Sequence, residues 1–360
     1  MKRIYNFGAG PAMLPEPVLI QAQEELLNWN NLGMSVLEVG HRTEEFKALL
    51  KHAEKTLREL LTIPSNYHIL FLGGAARTQF AMIPLNLIHN NQAGYIVSGI
   101  WSKLALEEAL RLKNAYCVAT TEEQNYQIIP EQQELKIQEN SAYIYYTPNE
   151  TINGVRFPYI PKVKNIPLIA DMTSCLLSEP IDVRQYGLIF AGAQKNIANA
   201  GLTLVIIKDD LLEQIVHPAI PTMLDYKVQI ENHSLYATPP VFNCYLAAKM
   251  FDWIKAQGGV EALFAENCRK AAKLYQYLDS TVFYTTPVQP EARSIMNICF
   301  SLKNSNLEEI FLEKAKQNGL CALTGHRLVG GLRASLYNAM PMSVVDLLIN
   351  FMREFAEEHP

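Results

Sequence analysis

The chain has 360 residues, of which 49% are hydrophobic and 19% are charged, a composition typical of a folded globular protein and not of a disordered one. The formal net charge of −5 argues against a nucleic-acid-binding protein, which would carry a basic excess. No apolar run approaches the length of a membrane span, and no hydrophobic segment follows Lys2 and Arg3, so we expect no membrane partner and a cytoplasmic location.

The first predicted elements are two helices. Apolar residues at helical spacing predict a helix from about residue 15 to residue 30. A second helix follows Thr43, which suits an N-cap because Glu44 and Glu45 come next and acidic residues stabilise the first turn. The loop between the two helices contains His41 and Arg42.

From residue 68 onward, short apolar runs alternate with helical patterns. Their continuous apolar character, without alternation, indicates strands of a sheet that is covered on both faces. We therefore predict an α/β fold with a mostly parallel central sheet covered by helices. The predicted strands are residues 68–72, 95–98, 142–147, 168–171, 188–191 and 202–208, and the predicted helices include residues 101–112 and 241–257.

The last hundred residues show a different pattern. Gly258 and Gly259 interrupt the chain before a predicted helix at 260–277, a strand at 296–302, and helices at 307–318 and 344–358. This arrangement predicts a smaller α+β domain. We expect three parts: an N-terminal segment, 1–14, that packs near the small domain, a large domain, 15–258, that holds the cofactor, and the small C-terminal domain, 259–360.

Two predicted strands end in side chains of opposite charge. Asp171 ends one apolar run, and Lys195 follows another within the segment Ala-Gly-Ala-Gln-Lys-Asn. An amine and a carboxylate that share one cleft are what a pyridoxal 5′-phosphate (PLP) enzyme requires: the lysine forms a Schiff base with the cofactor aldehyde, and the carboxylate keeps the pyridine nitrogen protonated. A solvated loop lysine at this position remains the alternative.

Three further strand ends are compatible with a cofactor site. Gly73 and Gly74 begin a turn that leads through Ala76 and Arg77 into a helix, and backbone N–H groups at a helix start bind phosphate well. An ordinary strand-to-helix turn would look the same. Trp101 follows the next strand and would either stack on a flat ring or fill the core. Thr151 lies in a polar loop further along the chain and offers a hydroxyl group.

Basic residues occur in pairs at two distant places. His41 and Arg42 form one pair, His326 and Arg327 form another, and Arg333 follows shortly after. In an acidic protein such groups favour recognition of an anionic ligand by guanidinium forks, with ordinary surface arginines as the alternative.

At this point the chain resembles a known family. The segments that carry the resemblance are Asn-Phe-Gly-Ala-Gly-Pro-Ala-Met-Leu-Pro (6–15), Ser-Val-Leu-Glu-Val-Gly-His-Arg (35–42), Pro-Asn-Glu-Thr-Ile-Asn-Gly (148–154), Ala-Gly-Ala-Gln-Lys-Asn (191–196), Thr-Pro-Pro (238–240) and the run from Gly325 to Pro341. Together they resemble the phosphoserine aminotransferases, a family of fold type I PLP enzymes in the class V aminotransferase group. The resemblance extends over nearly the whole chain.

The resemblance implies a role for each candidate residue. Lys195 and Asp171 would be the catalytic pair, and Trp101 would stack on the cofactor ring. The other implied cofactor contacts are Ala76, Arg77, Thr151, Gln194, Ala237 and Thr238, with Thr238 reaching in from the second subunit of a homodimer. The implied substrate-binding residues are Ala9, His41, Arg42, His326, Arg327 and Arg333, some of them from the neighbouring subunit. No metal is expected.

The implied reaction is amino transfer between L-glutamate and 3-phosphohydroxypyruvate, giving O-phospho-L-serine and 2-oxoglutarate in serine biosynthesis. In bacteria the same enzyme type also forms 4-phosphohydroxythreonine for pyridoxine. Three positions depart from the family pattern: Ala9 stands where a serine is often found, Ala237 replaces an asparagine, and Ile295 stands where we expect arginine. A PLP-dependent transaminase or lyase for an unphosphorylated substrate, and a non-catalytic binding protein on the same scaffold, remain the alternatives.

Overall fold

The structure is a computed structural model of the chain, and it describes residues 3–213, 215 and 220–360. Its strands are β1 (Tyr5–Asn6), β2 (Tyr67–Gly73), β3 (Gln92–Val97), β4 (Ala115–Thr120), β5 (Ser141–Tyr146), β6 (Asn149–Glu150), β7 (Val155–Arg156), β8 (Leu168–Asp171), β9 (Leu188–Gly192), β10 (Leu202–Lys208), β11 (Tyr284–Thr285), β12 (Asn297–Leu302), β13 (Leu320–Cys321) and β14 (Leu332–Ser335).

The helices lie between these strands and after them. They are α1 (Glu16–Glu25), α2 (Glu44–Leu61), α3 (Thr78–Leu87), α4 (Ile100–Leu112), α5 (Asp209–Glu213), α6 (Tyr226–Glu231), α7 (Val241–Ala256), α8 (Gly259–Asp279), α9 (Glu308–Gln317) and α10 (Met342–Glu358). No helix in the described ranges is long and apolar enough to cross a membrane.

Seven strands form the central sheet, in the order β2-β10-β9-β8-β5-β3-β4. β10 is antiparallel to both of its neighbours, whereas the remaining pairs are parallel. The prediction of a mostly parallel α/β sheet is therefore confirmed. Parallel strands require long crossover connections, and the helices in those connections cover the two faces of the sheet.

The side chains of β2 show how the sheet is covered. Ile69 and Phe71 pack into one core with α2 and α7, while Leu70 and Leu72 pack into a second core with α3 and α4. Successive side chains of a strand point to opposite faces, so a run that is apolar at every position must be buried on both sides. This is the physical reason for the unbroken apolar runs in the sequence.

A separate apolar core lies in the C-terminal part of the chain. It contains side chains of β12 and β14 together with α8, α9 and α10. The N-terminal segment joins this core, because Phe7 is fully buried in it and β1 pairs in parallel with β13.

The loop after β5 contacts the C-terminal part of the chain beside β12. Ser294 N donates a hydrogen bond to Gly154 O at 2.9 Å. Gly154 has φ of +73°, and a Cβ there would lie 2.9 Å from both Asn297 O and Cys299 Sγ. A side chain at this position would therefore push the loop away from β12, which explains the glycine.

Candidate active site

A cavity of about 180 Å³ lies at the edge of the central sheet where β2, β3, β5, β8 and β9 end. Ligands of open α/β sheets bind at this edge, since the loops after the strands bring separate segments of the chain together. The residues that line the cavity are Ala75, Ala76, Arg77, Phe80, Trp101, Thr147, Asn149, Thr151, Asp171, Thr173, Ser174, Gln194 and Lys195.

Lys195 follows β9 and is buried, with 7% of its surface exposed. Its Nζ donates a hydrogen bond to Thr151 Oγ1. Burial lowers the pKa of the amine to about 8; the Asp171 carboxylate raises that pKa in part, and Arg333 lowers it further. A lysine with this pKa is partly neutral near pH 7, and the neutral amine is the form that attacks a carbonyl carbon.

Asp171 is the last residue of β8 and lines the same cavity as Lys195. Its Oδ1 accepts a hydrogen bond from Thr173 N at 3.0 Å. Burial raises the pKa of the carboxyl, while the bonds from Thr173 and the charge of Lys195 oppose that rise. The fold therefore brings together the amine and the carboxylate that the sequence placed at two separate strand ends.

Trp101 forms one wall of the cavity from the first turn of α4. The guanidinium of Arg77 lies 5.0 Å from the centre of its indole ring, within the range of a cation–π contact. The indole Nε1 is buried and has no hydrogen-bond partner among the described residues. A buried donor without a partner is costly, so this atom fits a wall that a polar ligand completes.

Glu150 holds this wall in place, although the sequence analysis gave it no role. Its carboxylate accepts bonds from Trp101 N at 3.0 Å, Ser102 N at 2.8 Å and Ser102 Oγ at 2.6 Å. Burial raises the pKa of Glu150 to about 7, against the effect of these bonds. A Cβ at Gly99 would lie 2.4 Å from the Glu150 carboxyl carbon, so only glycine fits beside it.

The turn after β2 and the residue before Lys195 meet at the cavity. Ala76, Arg77 and Gln194 all line it, as expected from the sequence. A Cβ at Gly192 would lie 2.5 Å from Gln194 Oε1 and 3.1 Å from the Ala76 methyl group, so the two segments approach closely there. Arg77 immediately precedes α3, whose first N–H groups face outward from the helix start.

Three basic residues, His326, Arg327 and Arg333, form a cationic group beside the cavity. Burial and the charges of Arg333, Arg327 and Arg77 all lower the pKa of His326. Arg333 Nη1 donates to Thr151 O at 3.4 Å, and its Nε is buried without a partner among the described residues. An anion bound among these groups would offset the effect of the arginines on the pKa of His326.

Eight of the fifteen candidate residues do not line the cavity, and three of these form the cationic group beside it: His326, Arg327 and Arg333. His41 and Arg42 lie in the loop before α2, and Ala237 and Thr238 are exposed and line a separate cavity of about 120 Å³. The remaining one, Ala9, is half-buried on the N-terminal segment, and its carbonyl accepts a bond from Tyr337 OH at 2.9 Å.

Several lining residues carried no individual prediction. Thr173 and Ser174 directly follow the strand end at Asp171, and Asn149 lies in the polar loop after β5. Hydroxyl and amide side chains just after an apolar strand are the signal that pointed to them. These residues add hydroxyl and amide groups to the strand ends that already supply the predicted residues.

A model of the aminotransferase class-V family matches residues 4–348. The chain is 66% identical over 358 residues to the phosphoserine aminotransferase of Legionella pneumophila subsp. pneumophila (strain Philadelphia 1), with 99% of each chain covered. The chain belongs to the phosphoserine aminotransferase family.

Solved structures of this family share the fold. The phosphoserine aminotransferase of Bacillus circulans subsp. alkalophilus matches with a TM-score of 0.97 at 42% identity, with 100% of both chains covered. The PLP-bound phosphoserine aminotransferase of Trichomonas vaginalis matches with a TM-score of 0.93 at 41% identity and covers 98% of this chain and 100% of that one. The predictions of the family, of the fold and of a PLP-dependent transaminase are confirmed.

Proposed function

We propose that this chain catalyses reversible amino transfer between L-glutamate and 3-phosphohydroxypyruvate, giving O-phospho-L-serine and 2-oxoglutarate, as a step of serine biosynthesis. The observation that carries the proposal is one cavity that contains Lys195 and Asp171 beside the cations Arg77, Arg327 and Arg333. A substrate with a carboxylate at one end and a phosphate or second carboxylate at the other matches that distribution of charge.

The cavity residues fit pyridoxal phosphate. A buried amine, a buried carboxylate and an aromatic wall correspond to the aldehyde, the pyridine nitrogen and the flat ring, and the unpartnered Trp101 Nε1 marks the wall as incomplete without a ligand. When bound, the cofactor supplies an electron-withdrawing ring conjugated to the substrate nitrogen. In our proposal Asp171 pairs with the ring nitrogen, and Ala76, Arg77, Thr151 and Gln194 hold the remaining polar groups.

Lys195 has two tasks in this scheme. It holds the cofactor in the resting enzyme, and when the amino acid substrate displaces it, Nζ is free to remove the proton from the substrate Cα. The lowered pKa suits both tasks, because an amine with a pKa of about 8 exchanges its proton readily near neutral pH. The hydroxyl of Thr151, which accepts a bond from Nζ, keeps the amine directed into the cavity.

Substrate anions are assigned to the cationic residues. Arg333 binds the α-carboxylate, and Ala9 lies beside the substrate. His326 and Arg327, joined by His41 and Arg42, receive the distal carboxylate or phosphate. His326 gains charge when the dianion enters, because an anion reverses the effect of the neighbouring arginines on its pKa.

We further propose a homodimer whose active sites contain residues of both subunits. His41, Arg42, Ala237 and Thr238 lie outside the cavity of their own chain, and large apolar side chains are exposed in the same and nearby loops. Solvent exposure of such a set is unfavourable, and a second copy of the chain would bury it. These apolar side chains are Leu27, Met34, Leu37, Met223, Tyr236, Leu328 and Val329.

The proposed organisation also includes location and domains. We place the enzyme in the cytoplasm and divide the chain into 1–14, 15–258 and 259–360. The separate C-terminal core supports this division, and so does the burial of Phe7 within it. The pyridoxine-pathway substrate 4-phosphohydroxythreonine has the same pair of anionic groups, so we propose that the same site accepts it.

Steady-state kinetics test the substrate assignment. With L-glutamate as donor, we expect kcat/KM for 3-phosphohydroxypyruvate to exceed that for hydroxypyruvate by about 100-fold or more, since the unphosphorylated substrate leaves the distal cationic residues without an anionic partner. Equal values for the two acceptors would contradict the proposal and favour a transaminase for unphosphorylated substrates.

A further inference from the structure

The N-terminal segment passes directly over Lys195. Ala12 N donates to Gln194 O at 2.8 Å. Gly10 has φ of +146°, and a Cβ there would lie 3.1 Å from Gln194 Cγ and 3.6 Å from Lys195 Cγ. Any displacement of this segment therefore changes the space around the lysine.

The same segment is held from its other side by residues that follow Arg333. Ser335 N donates to Phe7 O at 3.0 Å, and Tyr337 OH donates to Ala9 O at 2.9 Å. Tyr337 is buried, with 3% of its surface exposed. The segment thus spans the distance between the strand that carries Arg333 and the loop that carries Lys195.

The hydroxyl of Tyr337 also belongs to a buried chain of hydrogen bonds that leads back to the cavity. It accepts from Asn297 Nδ2 at 3.0 Å, and Asn297 Oδ1 accepts from Asn149 Nδ2 at 2.9 Å. Asn149 Nδ2 also donates to Ser174 Oγ at 2.8 Å, and both Asn149 and Ser174 line the cavity. Asn149, Ser174 and Asn297 are each no more than 2% exposed.

The position of this network argues for more than the satisfaction of buried polar groups. It lies between two apolar cores, where well-packed apolar side chains of similar volume would stabilise the fold without a need for partners. A hydrogen-bonded network instead fixes one arrangement of its members, because each bond depends on direction. One end, Asn149, lines the cavity, and the other, Ala9, belongs to the segment that contacts Gln194 and Lys195.

We propose that Tyr337 is a positioning residue, whose hydroxyl sets the N-terminal segment between Lys195 and Arg333 and so fixes the length of substrate that the site accepts. This inference rests on the proposed roles of those two residues. Tyr337 does not itself line the cavity; it acts through Ala9 and Asn297, and its hydroxyl also interacts with Thr151, the hydrogen-bond partner of Lys195.

The test compares Tyr337→Phe with a matched control, Tyr284→Phe. Tyr284 is also buried, with 3% exposed, and its hydroxyl also donates to a backbone carbonyl, Met352 O, at 2.8 Å. That bond lies within the C-terminal core, so each variant loses one buried hydroxyl–carbonyl bond. Tyr337→Phe also loses the bond from Asn297, so we expect its urea midpoint to fall at least as far as that of Tyr284→Phe. Only the hydroxyl–carbonyl bond of Tyr337 reaches the N-terminal segment.

Two measurements distinguish positioning from stability. We expect Tyr337→Phe to raise KM for O-phospho-L-serine about fivefold, the order expected for one hydrogen bond, with kcat within twofold of the parent. We also expect faster amide hydrogen exchange in residues 5–12 of the cofactor-loaded protein. Tyr284→Phe should change neither quantity.

The possible results distinguish failure of the positioning role from failure of the proposed function. Equal KM values and equal exchange in the two variants would overturn the positioning role. A parent enzyme that does not use O-phospho-L-serine would contradict the proposed function instead, and the hydrogen-exchange comparison would still decide whether Tyr337 fixes the segment.

Discussion

The chemistry proposed for Lys195 depends on its surroundings, which alter its protonation. In water a lysine has a pKa near 10.5, whereas burial lowers that of Lys195 to about 8. A base with a lowered folded-state pKa binds fewer protons in the folded chain than in the unfolded chain. The resulting cost to stability is present in full below pH 8 and fades as the pH rises toward 10.5.

This linkage predicts the stability of Lys195→Met in the cofactor-free protein. The free energy of unfolding of the variant minus that of the parent should fall by roughly 3 kcal/mol between pH 7 and pH 10.5, because the parent regains what burial of its charge had cost. Urea titrations at a series of pH values measure this difference. A difference that stays constant over the whole range would show that the amine is not perturbed.

Glu150 gives a second prediction at the same scale. In Glu150→Gln an amide replaces a carboxylate that accepts three bonds from the start of α4, so Trp101 loses its fixed position. We expect PLP to bind about tenfold more weakly, in line with the loss of charge-assisted hydrogen bonds, and the quenching of Trp101 fluorescence by PLP to decrease.

A control for this variant contacts the same helix from the turn after β4. Glu122→Gln removes an exposed ion pair with Lys103 of α4, and such pairs contribute little. Its PLP affinity should equal that of the parent. Equal affinities in both variants would show that Glu150 does not position Trp101.

At the scale of the element, the agreement between sequence and structure depends on burial. β8 and β10 have the predicted bounds, because an apolar run that ends in Asp171 or Lys208 marks where a buried strand reaches solvent or a site. The edge strand β4 was not predicted, since most of its side chains are partly or fully exposed and the apolar signal is weak there.

The first helix shows the opposite error. Its apolar spacing predicts a helix to about residue 30, but α1 ends at Glu25 and a short 3₁₀ helix follows at Trp29–Asn31. Asn30 and Asn31 have φ values of 50° and 59°, which an α-helix cannot contain. Val18, Ala22 and Trp29 of the predicted apolar face are buried, but Leu19 is exposed, so the pattern identified most of the buried face and not the end of the helix.

The site also contains residues that the sequence indicated and residues that only the structure reveals. Lys195, Asp171 and Trp101 could be predicted because each follows an apolar strand and has a distinctive chemistry. Glu150 and Tyr337 could not, because their contacts are with residues that are 48 and 328 positions away, Ser102 and Ala9. Only the folded chain shows which buried polar groups face each other.

The cap of α2 allows a test at the element scale. Thr43 Oγ1 accepts from Phe46 N at 3.3 Å, as the predicted N-cap requires. Thr43→Ala should lower the free energy of unfolding by about 1 kcal/mol, and Thr43→Ser should restore most of it. Equal urea midpoints in the parent and Thr43→Ala would show that this cap contributes nothing.

At the scale of the whole molecule, the proposed shared active site predicts complementation between inactive variants. Lys195→Ala and Arg42→Ala should each abolish or strongly reduce activity, but a mixed dimer of the two would contain one site with both residues intact. An equimolar mixture, unfolded and refolded together, should recover about a quarter of the parent activity, since half of the dimers are mixed and one of their two sites is complete.

The control for complementation uses two residues of one cavity. Lys195→Ala mixed with Asp171→Ala should recover no activity, because each mixed dimer then has one defect in each site. No recovery in the first mixture, with mixed dimers demonstrated by mass spectrometry, would contradict the contribution of Arg42 to the neighbouring site.

The central claim is that this chain is a PLP-dependent aminotransferase selective for a phosphorylated substrate, and the visible absorption of the purified, PLP-loaded protein tests it most directly. On addition of O-phospho-L-serine, we predict loss of the absorption band of the lysine-bound cofactor and growth of the pyridoxamine phosphate band. L-Serine at the same concentration should produce no such change. A bound cofactor whose spectrum is indifferent to O-phospho-L-serine, or that responds equally to both amino acids, would contradict the account.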